Sequence, residues 1–235
     1  MNRFMQKKEP KVWSWSYSKL KNYRTCPRRY HDIDVAKLYQ EEEKGPDSPL
    51  AVGNRIHKDL EDYIGKGTPL PADLAHLEDA MAKLAALPGK TLVEQQLAIR
   101  EDLEPCDWFN SKAWYRAKAD LLNISENGMV ALAIDYKTGK IVEDSVQLAL
   151  MAECVFSHYP KVQAVRTEFW WLAEDVPTRE DFRRTKRHET WNHVLPMVKE
   201  LKQAHDTETW PTKTSGLCKK WCIVKGCPHW GGGKN

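Results

Sequence analysis

Two aspartates and a lysine stand close together in the stretch 116–140. Asp120 falls in one predicted strand, and Asp135 and Lys137 fall two residues apart in the next, with an Asn-Gly turn at 127–128 between the strands. Residues i and i+2 of a strand share a face about 6.6 Å apart, and the paired strand can place Asp120 on the same face. Carboxylate oxygens suit Mg²⁺ or Mn²⁺, and such an ion polarises a phosphodiester and lowers the pKa of its water. Lys137 would orient that water or neutralise charge on the phosphate.

The same pattern also fits a hairpin with ordinary surface charges, because two acids and a lysine form a short motif. The placement of Asp135 favours a site, since it follows the apolar run 131–134, where an unpaired charge is costly. Gln147 falls inside an apolar helical stretch, 147–152. Its amide either points back to the site or lies at the edge of the helix.

A histidine and two glutamates are further candidates. His57 lies on a predicted amphipathic helix over 52–65, where a histidine is either structural or a metal ligand. Glu61 follows one turn later and is either a group that supports a ligand or a plain helical neighbour. Glu94, on the strand before Asp120, is a weaker candidate.

Half of the six cysteines lie within ten residues, at Cys218, Cys222 and Cys227, and His229 follows. The start of the sequence, 1–10, has no apolar signal segment, so we expect a reducing, cytoplasmic setting, where clustered thiols indicate a metal. Two ligand sets compete. Cys26 would complete a [4Fe–4S] cluster, or His229 would complete a Cys₃His zinc site.

Hydrophobic periodicity predicts the elements that position these groups. The predicted helices cover 16–30 with a break at Pro27, 52–65, 72–87, 144–157 and 178–205, and the strands cover 91–99, 114–124, 130–137 and 165–172. The segment 41–50 reads as a polar loop. This order predicts an α/β (mixed α+β) chain.

Composition excludes some classes of protein. The chain has 235 residues, 41% of them hydrophobic, and a formal net charge of +3, so it is neither disordered nor strongly polyanionic or polycationic. No apolar run reaches the roughly 18 residues needed to span a membrane. Both ends are basic and rich in tryptophan, which indicates either base stacking beside phosphate contacts or aromatic packing of the termini.

Five separated elements, taken together, resemble the PD-(D/E)XK nuclease superfamily in its RecB/Cas4-like branch of DNA exonucleases. They are SYSKLKNYRTCPRRY (16–30), GNRIHKDLE (53–61), AKADLL (117–122), IDYK (134–137) and QLAL (147–150). Met151 stands where that branch often has tyrosine.

The resemblance implies a restriction-endonuclease-like core, with a central mixed sheet flanked by helices. It implies that His57, Asp120, Asp135 and the carbonyl of Tyr136 hold Mg²⁺ or Mn²⁺. It further implies catalytic roles for Lys137 and Gln147. Gln147 would orient the lysine or contact DNA.

Iron–sulfur nucleases of this kind take one cysteine before the core and three after it, which favours Cys26, Cys218, Cys222 and Cys227 as cluster ligands. The late spacing here, CxxxC and CxxxxC with an added histidine, departs from the usual pattern and leaves iron or zinc open. Either metal would staple the cysteine-rich tail 211–235 to the N-terminal segment.

The expected organisation is a nuclease domain over 1–210, with a helical segment 1–50, a catalytic core 51–175 and a long helix 176–210, followed by the tail. The expected function is a metal-dependent DNA exonuclease acting on free or single-stranded ends in recombination, repair or degradation, including phage roles. Arg28 and Arg29 are candidate DNA contacts. Two rival hypotheses are a non-catalytic nucleic-acid-binding module with a structural metal, and a purely structural protein.

Overall fold

A computed structural model describes residues 12–40, 45–142 and 144–232. The α-helices are α1 (Tyr17–Thr25), α2 (Pro27–Tyr30), α3 (Pro49–Lys66), α4 (Glu78–Ala85), α5 (Ser145–His158), α6 (Arg187–Thr207) and α7 (Leu217–Lys220). The strands are β1 (Lys90–Ile99), β2 (Pro105–Cys106), β3 (Tyr115–Ile124), β4 (Val130–Lys137), β5 (Ala164–Trp171) and β6 (Val176–Arg183). A π-helical turn (His31–Val35) and two 3₁₀ turns (Ala72–Leu77 and Arg184–Lys186) complete the described elements.

The strands form one mixed sheet in the order β2-β1-β3-β4-β5-β6. All neighbouring pairs are antiparallel except β4 and β5, which are parallel and are joined through α5. Parallel neighbours need such a crossover, because a tight turn cannot join them. Helices lie on both faces of the sheet, which confirms the predicted mixed α/β class.

Alternation along β4 divides its side chains between the two faces of the sheet. Ile134 and Tyr136 pack with buried residues of α3, α4 and the 3₁₀ turn before α4. Asp135 lies between them in sequence and so points to the opposite face. There its partner in the parallel ladder, Phe169, packs against Leu148 of α5. One strand therefore supplies both core residues and a site residue.

The chain folds into two compact units. The first, which we call the sheet unit, contains the described residues up to Trp15 and Arg55–Arg187. The second, the cysteine unit, contains the described residues of Ser16–Asn54 and those from His188 onward.

The predicted long helix over 178–205, placed in a 176–210 segment, is wrong in its first part. Residues Val176–Arg183 form β6, which pairs antiparallel with β5, and α6 begins only at Arg187. The charged strand β6 is half-exposed at the edge of the sheet, so its sequence lacks the apolar face that marks a buried strand.

Two other predicted boundaries differ from the structure. The helix predicted over 52–65 begins at Pro49, and the predicted helix over 72–87 is a 3₁₀ turn followed by the shorter α4. The short strand β2 was not predicted. Residues 1–10 and 41–44 of the predicted start and loop lie outside the described residues. Among the helices that the structure describes, none combines the length and apolar character needed to cross a bilayer.

A buried ion pair in the sheet unit gives a stability prediction. The Arg187 Nε donates to Oε2 of Glu153 at 2.7 Å, and the Glu153 side chain is only 2% exposed. Replacing Arg187 with methionine leaves a buried carboxylate without its arginine, which costs about 3 kcal/mol of unfolding free energy. For a protein of this size we expect the melting temperature to fall by about 6–12 °C in calorimetry.

The matched control is Arg166→Met. Arg166 also pairs with a carboxylate in two hydrogen bonds, but that partner, Asp181, has a side chain 67% exposed. An exposed pair contributes about 0–1 kcal/mol, so this change should shift the melting temperature by only a few degrees. Equal shifts for the two variants would contradict the role given to the Glu153–Arg187 pair.

Candidate active site

The antiparallel ladder between β3 and β4 stops short of the ends of both strands. Pairing runs from Ile124↔Ala131 to Leu121↔Ile134, although β3 begins at Tyr115 and β4 continues to Lys137. Two residues beyond the last paired residue of β4, the Tyr136 backbone N–H donates to Oδ2 of Asp120 at 2.6 Å. A side-chain acceptor thus takes the place of a ladder partner and fixes the orientation of the Asp120 carboxylate.

His57 reaches the same carboxylate from α3. Its Nδ1 lies 3.3 Å from Oδ1 of Asp120, and its ring packs edge-on against Tyr136. The helix is held by Leu60, which is fully buried one turn later in the core cluster. The hydrogen bond with Asp120 raises the pKa of His57, and burial opposes this shift.

Glu94 of β1 completes a group of three. Its neighbours pair as Val93↔Leu121 and Gln95↔Ala119, which puts Glu94 across from Asp120. Ligand atoms of His57, Glu94 and Asp120 all lie within 4.8 Å of one another. One imidazole nitrogen and two carboxylates form a suitable donor set for Mn²⁺ or Mg²⁺.

The backbone at Glu94 is unusual for a strand. Its φ is 53°, in the left-handed region that non-glycine residues rarely adopt. Backbone strain of this kind costs about 1–3 kcal/mol and concentrates at functional sites. Lys118, the neighbour of Asp120 on the same face of β3, forms an ion pair with the Glu94 carboxylate.

Asp135 lies at the centre of a second group. Its Oδ2 accepts hydrogen bonds from Lys137 Nζ at 2.7 Å and from Gln147 Nε2 at 2.6 Å. Burial raises the pKa of Asp135 to about 6, and Lys137 acts in the opposite direction. The Lys137 ammonium also sits 4.6 Å from the centre of the Phe169 ring, which orients it by a cation–π contact.

The structure therefore brings together five of the residues that the sequence singles out. They are His57, Asp120, Asp135, Lys137 and Gln147. The Gln147 amide points to the site and does not lie idle at the helix edge. At Tyr136 the contact seen is the N–H to Asp120, and a metal-ligand role for its carbonyl stays a prediction. Glu61 pairs with Lys58 on the surface of α3.

The cysteine unit has a second candidate site. Cys26, Cys218, Cys222, Cys227 and His229 all line one small pocket, and all six cysteines of the chain are free thiols.

Two backbone donors lie near these sulfurs, and two arginines line the same pocket. The Lys213 N–H lies 3.5 Å from the Sγ of Cys26, and the Ser215 N–H lies 3.4 Å from the Sγ of Cys218. Such N–H···S bonds stabilise thiolates that bind metals. Arg28 and Arg29 also line the pocket. The Nε of Arg28 donates to the buried Asp32 at 2.6 Å, an anchor that the sequence did not reveal.

Comparison with known proteins assigns the family. The model of the PD-(D/E)XK nuclease superfamily matches residues 14–229. The chain belongs to this superfamily, and its six-stranded mixed sheet with helices on both faces agrees with the restriction-endonuclease-like fold. The resemblance inferred from the five sequence elements is thereby confirmed at the level of the superfamily.

Individual relatives are distant. The crystal structure of a candidate exonuclease from Eubacterium rectale has 13% identity and a TM-score of 0.49 and covers 85% of this chain and 84% of its own. The crystal structure of SSO0001 has 13% identity and a TM-score of 0.47, covering 95% and 89%. A 33 kDa chaperonin from Ectopseudomonas mendocina is 29% identical over 97 residues, and the match spans 36% of this chain and only 33% of that relative.

Proposed function

We propose that the protein is a divalent-metal-dependent deoxyribonuclease that hydrolyses DNA from a free end. The observation that carries the proposal is the convergence of His57, Glu94 and Asp120 beside the Asp135–Lys137 pair. Membership of the nuclease superfamily supports hydrolysis of nucleic acid. The resemblance of the sequence motifs to the RecB/Cas4-like branch supports DNA as substrate and action at ends.

The residues that would hold the metal are His57, Glu94, Asp120 and Asp135. Mg²⁺ or Mn²⁺, when bound there, neutralises charge on the phosphodiester and lowers the pKa of a water. A neutral imidazole is needed for ligation, so protonation of His57 competes with the metal. The hydrogen bond from the Tyr136 N–H keeps the Asp120 carboxylate oriented toward the other three residues.

Lys137 would position the attacking water. Its ammonium is fixed from two sides by the Asp135 carboxylate and the Phe169 ring. Preorganised charge of this kind stabilises the developing negative charge of a transition state without reorganisation. The water would give up a proton to solvent as its oxygen attacks phosphorus in line, and the bond to the leaving sugar oxygen would break as that oxygen takes a proton from solvent. Gln147 holds Asp135 and so keeps Lys137 in place.

We further propose that the four cysteines of the cysteine unit bind a [4Fe–4S] cluster with a structural role. All four of these cysteines line one pocket, as a cluster that takes one thiolate on each iron requires. The resemblance to iron–sulfur nucleases with one cysteine before the core and three after it also supports the cluster.

The nuclease assay compares linear and circular DNA. Linear single strands labelled at the 5′ or 3′ end, the matching duplex, and a closed single-stranded circle are incubated with the protein and Mg²⁺, Mn²⁺ or EDTA. We expect metal-dependent loss of linear DNA only, with a product ladder that reports polarity. Cleavage of the circle, which has no ends, would show that the protein is an endonuclease and would contradict end-directed action. A folded protein that binds DNA and cuts none of it would favour the non-catalytic binding module.

A further inference from the structure

A short exposed segment of the cysteine unit combines cations with apolar side chains. Trp221 is 59% exposed, and Leu217, one helical turn earlier, is 39% exposed. Lys219, Lys220 and Lys225 are also exposed. We call these five residues the lysine–tryptophan surface.

Hydrogen bonds hold this surface on a defined backbone. The Trp221 N–H donates to the carbonyl of Leu217, and the Gly231 N–H donates to the carbonyl of Cys218, both at 2.9 Å. The Trp230 indole donates to the carbonyl of Cys222 at 3.0 Å. A side chain at Gly231 would lie only 2.9 Å from the Cα of Lys219, so this packing requires glycine. A preorganised surface loses little entropy when it binds a partner.

The charge of the surrounding segment is one-sided. Residues 209–232 contain four lysines and no aspartate or glutamate. The loop 100–112 has the opposite charge balance. It contains Phe109, which is 89% exposed, together with four acidic and two basic residues. An exposed aromatic among cations fits a polyanion with flat apolar groups, whereas an exposed aromatic among acids does not.

We propose that the lysine–tryptophan surface binds single-stranded DNA. The Trp221 ring would stack on a base, and Lys219, Lys220 and Lys225 would contact the neighbouring phosphates. Stacking needs a base whose face is free, which a single strand offers and a duplex hides, and it tolerates any sequence. The five residues of this surface are separate from those of the proposed site of hydrolysis, and the inference rests on the proposed function only in the choice of DNA as the partner.

The test measures binding without cleavage. Fluorescence anisotropy of a labelled oligothymidine is recorded with the full-length protein in EDTA, so that the metal-dependent site is silent. Trp221→Ala should weaken binding by about 5- to 150-fold, the range for loss of one stacked base. Trp221→Phe should restore most of the affinity. Phe109→Ala, which removes an even more exposed aromatic from the acidic loop, should leave binding unchanged.

Salt dependence tests the lysines separately. For single strands the slope of log K against log[salt] is about −0.7 per phosphate contact, so the double variant Lys219→Gln/Lys220→Gln should make it less negative by about 1.4. Lys83→Gln, an exposed lysine of the sheet unit, should not change the slope. Circular dichroism and the metal content of each variant establish that it is folded.

Three results would overturn the proposal. The first is equal affinity of folded Trp221→Ala and wild type, the second is equal loss in Phe109→Ala, and the third is competition by blunt duplex as strong as by single strand. None of them depends on cleavage, so failure of the nuclease assay and failure of this binding test are distinguishable.

Discussion

Replacing Asp120 with asparagine is expected to lower metal-dependent DNA cleavage by about 10³-fold or more. The amide oxygen can still accept the Tyr136 N–H, so the local strand geometry survives. The lost charge, however, belongs to the carboxylate that faces both His57 and Glu94. Removing one preorganised electrostatic group already costs about 10²–10³ in rate, and this change also weakens metal binding. Single-turnover rates and Mn²⁺ titration calorimetry measure the two effects.

Two further variants serve as controls for the Asp120→Asn result. Asp107→Asn, at an exposed aspartate of the loop 100–112, should keep the wild-type rate and metal affinity. Lys137→Ala should lower the rate of cleavage by about 10²–10³-fold, because it removes the charge that positions the water. It should keep the affinity for Mn²⁺, because the carboxylates that would bind the metal are unchanged. If folded Asp120→Asn retained a tenth of the wild-type rate, the metal site would have to lie elsewhere.

Much of the sheet unit could be predicted from sequence because its signals are local. The strand β4 is bounded by an Asn-Gly turn, and its alternating residues Ala131–Asp135 lead directly to the charged end. The turn pairs β3 with β4, which brings Asp120 near Asp135 without any knowledge of the rest of the fold. The apolar spacing on α3 similarly turns His57 toward the core side of that helix.

The position of Glu94 in the candidate metal site could not be predicted in the same way. Its place in the site depends on the register between β1 and β3, which are separated by a loop and the short strand β2. It also depends on the left-handed backbone conformation of Glu94, which no local sequence motif predicts. The only sequence signal was an acid within a strand that precedes Asp120.

The strand β6 shows a second limit of local patterns. Its charges are satisfied across the sheet, where Arg166 binds Asp181 and Glu168 lies near Arg179. Because these partners are non-local, the sequence Val176–Arg183 reads as part of a polar helix. The buried Glu153 was hidden for the same reason, since its partner Arg187 lies 34 residues away in the sequence.

Replacing Cys26 with serine is expected to remove the metal of the cysteine unit and to destabilise that unit. Cys26 precedes α2, whereas the other three cysteines follow α6, so a shared metal would tie the two ends of the chain segment together. Structural metal sites contribute on the order of 10 kcal/mol, which is comparable with the whole stability of a domain. We expect loss of iron and of the broad visible absorbance after anaerobic purification, and a separate low-temperature unfolding transition.

The control is Cys106→Ser, which removes a half-buried thiol outside the pocket and should keep full iron content. His229→Ala separates the two metal hypotheses, because His229 lines the pocket but has no role in a four-cysteine cluster. If His229→Ala lost a bound zinc while Cys26→Ser kept it, a Cys₃His site would replace the cluster. If Cys26→Ser alone lost iron, the pocket would hold a cluster that fastens the segment before the nuclease core to the segment after it. The lysine–tryptophan surface would then depend on this metal, because Cys218 and Cys222 flank Lys219–Trp221 on both sides.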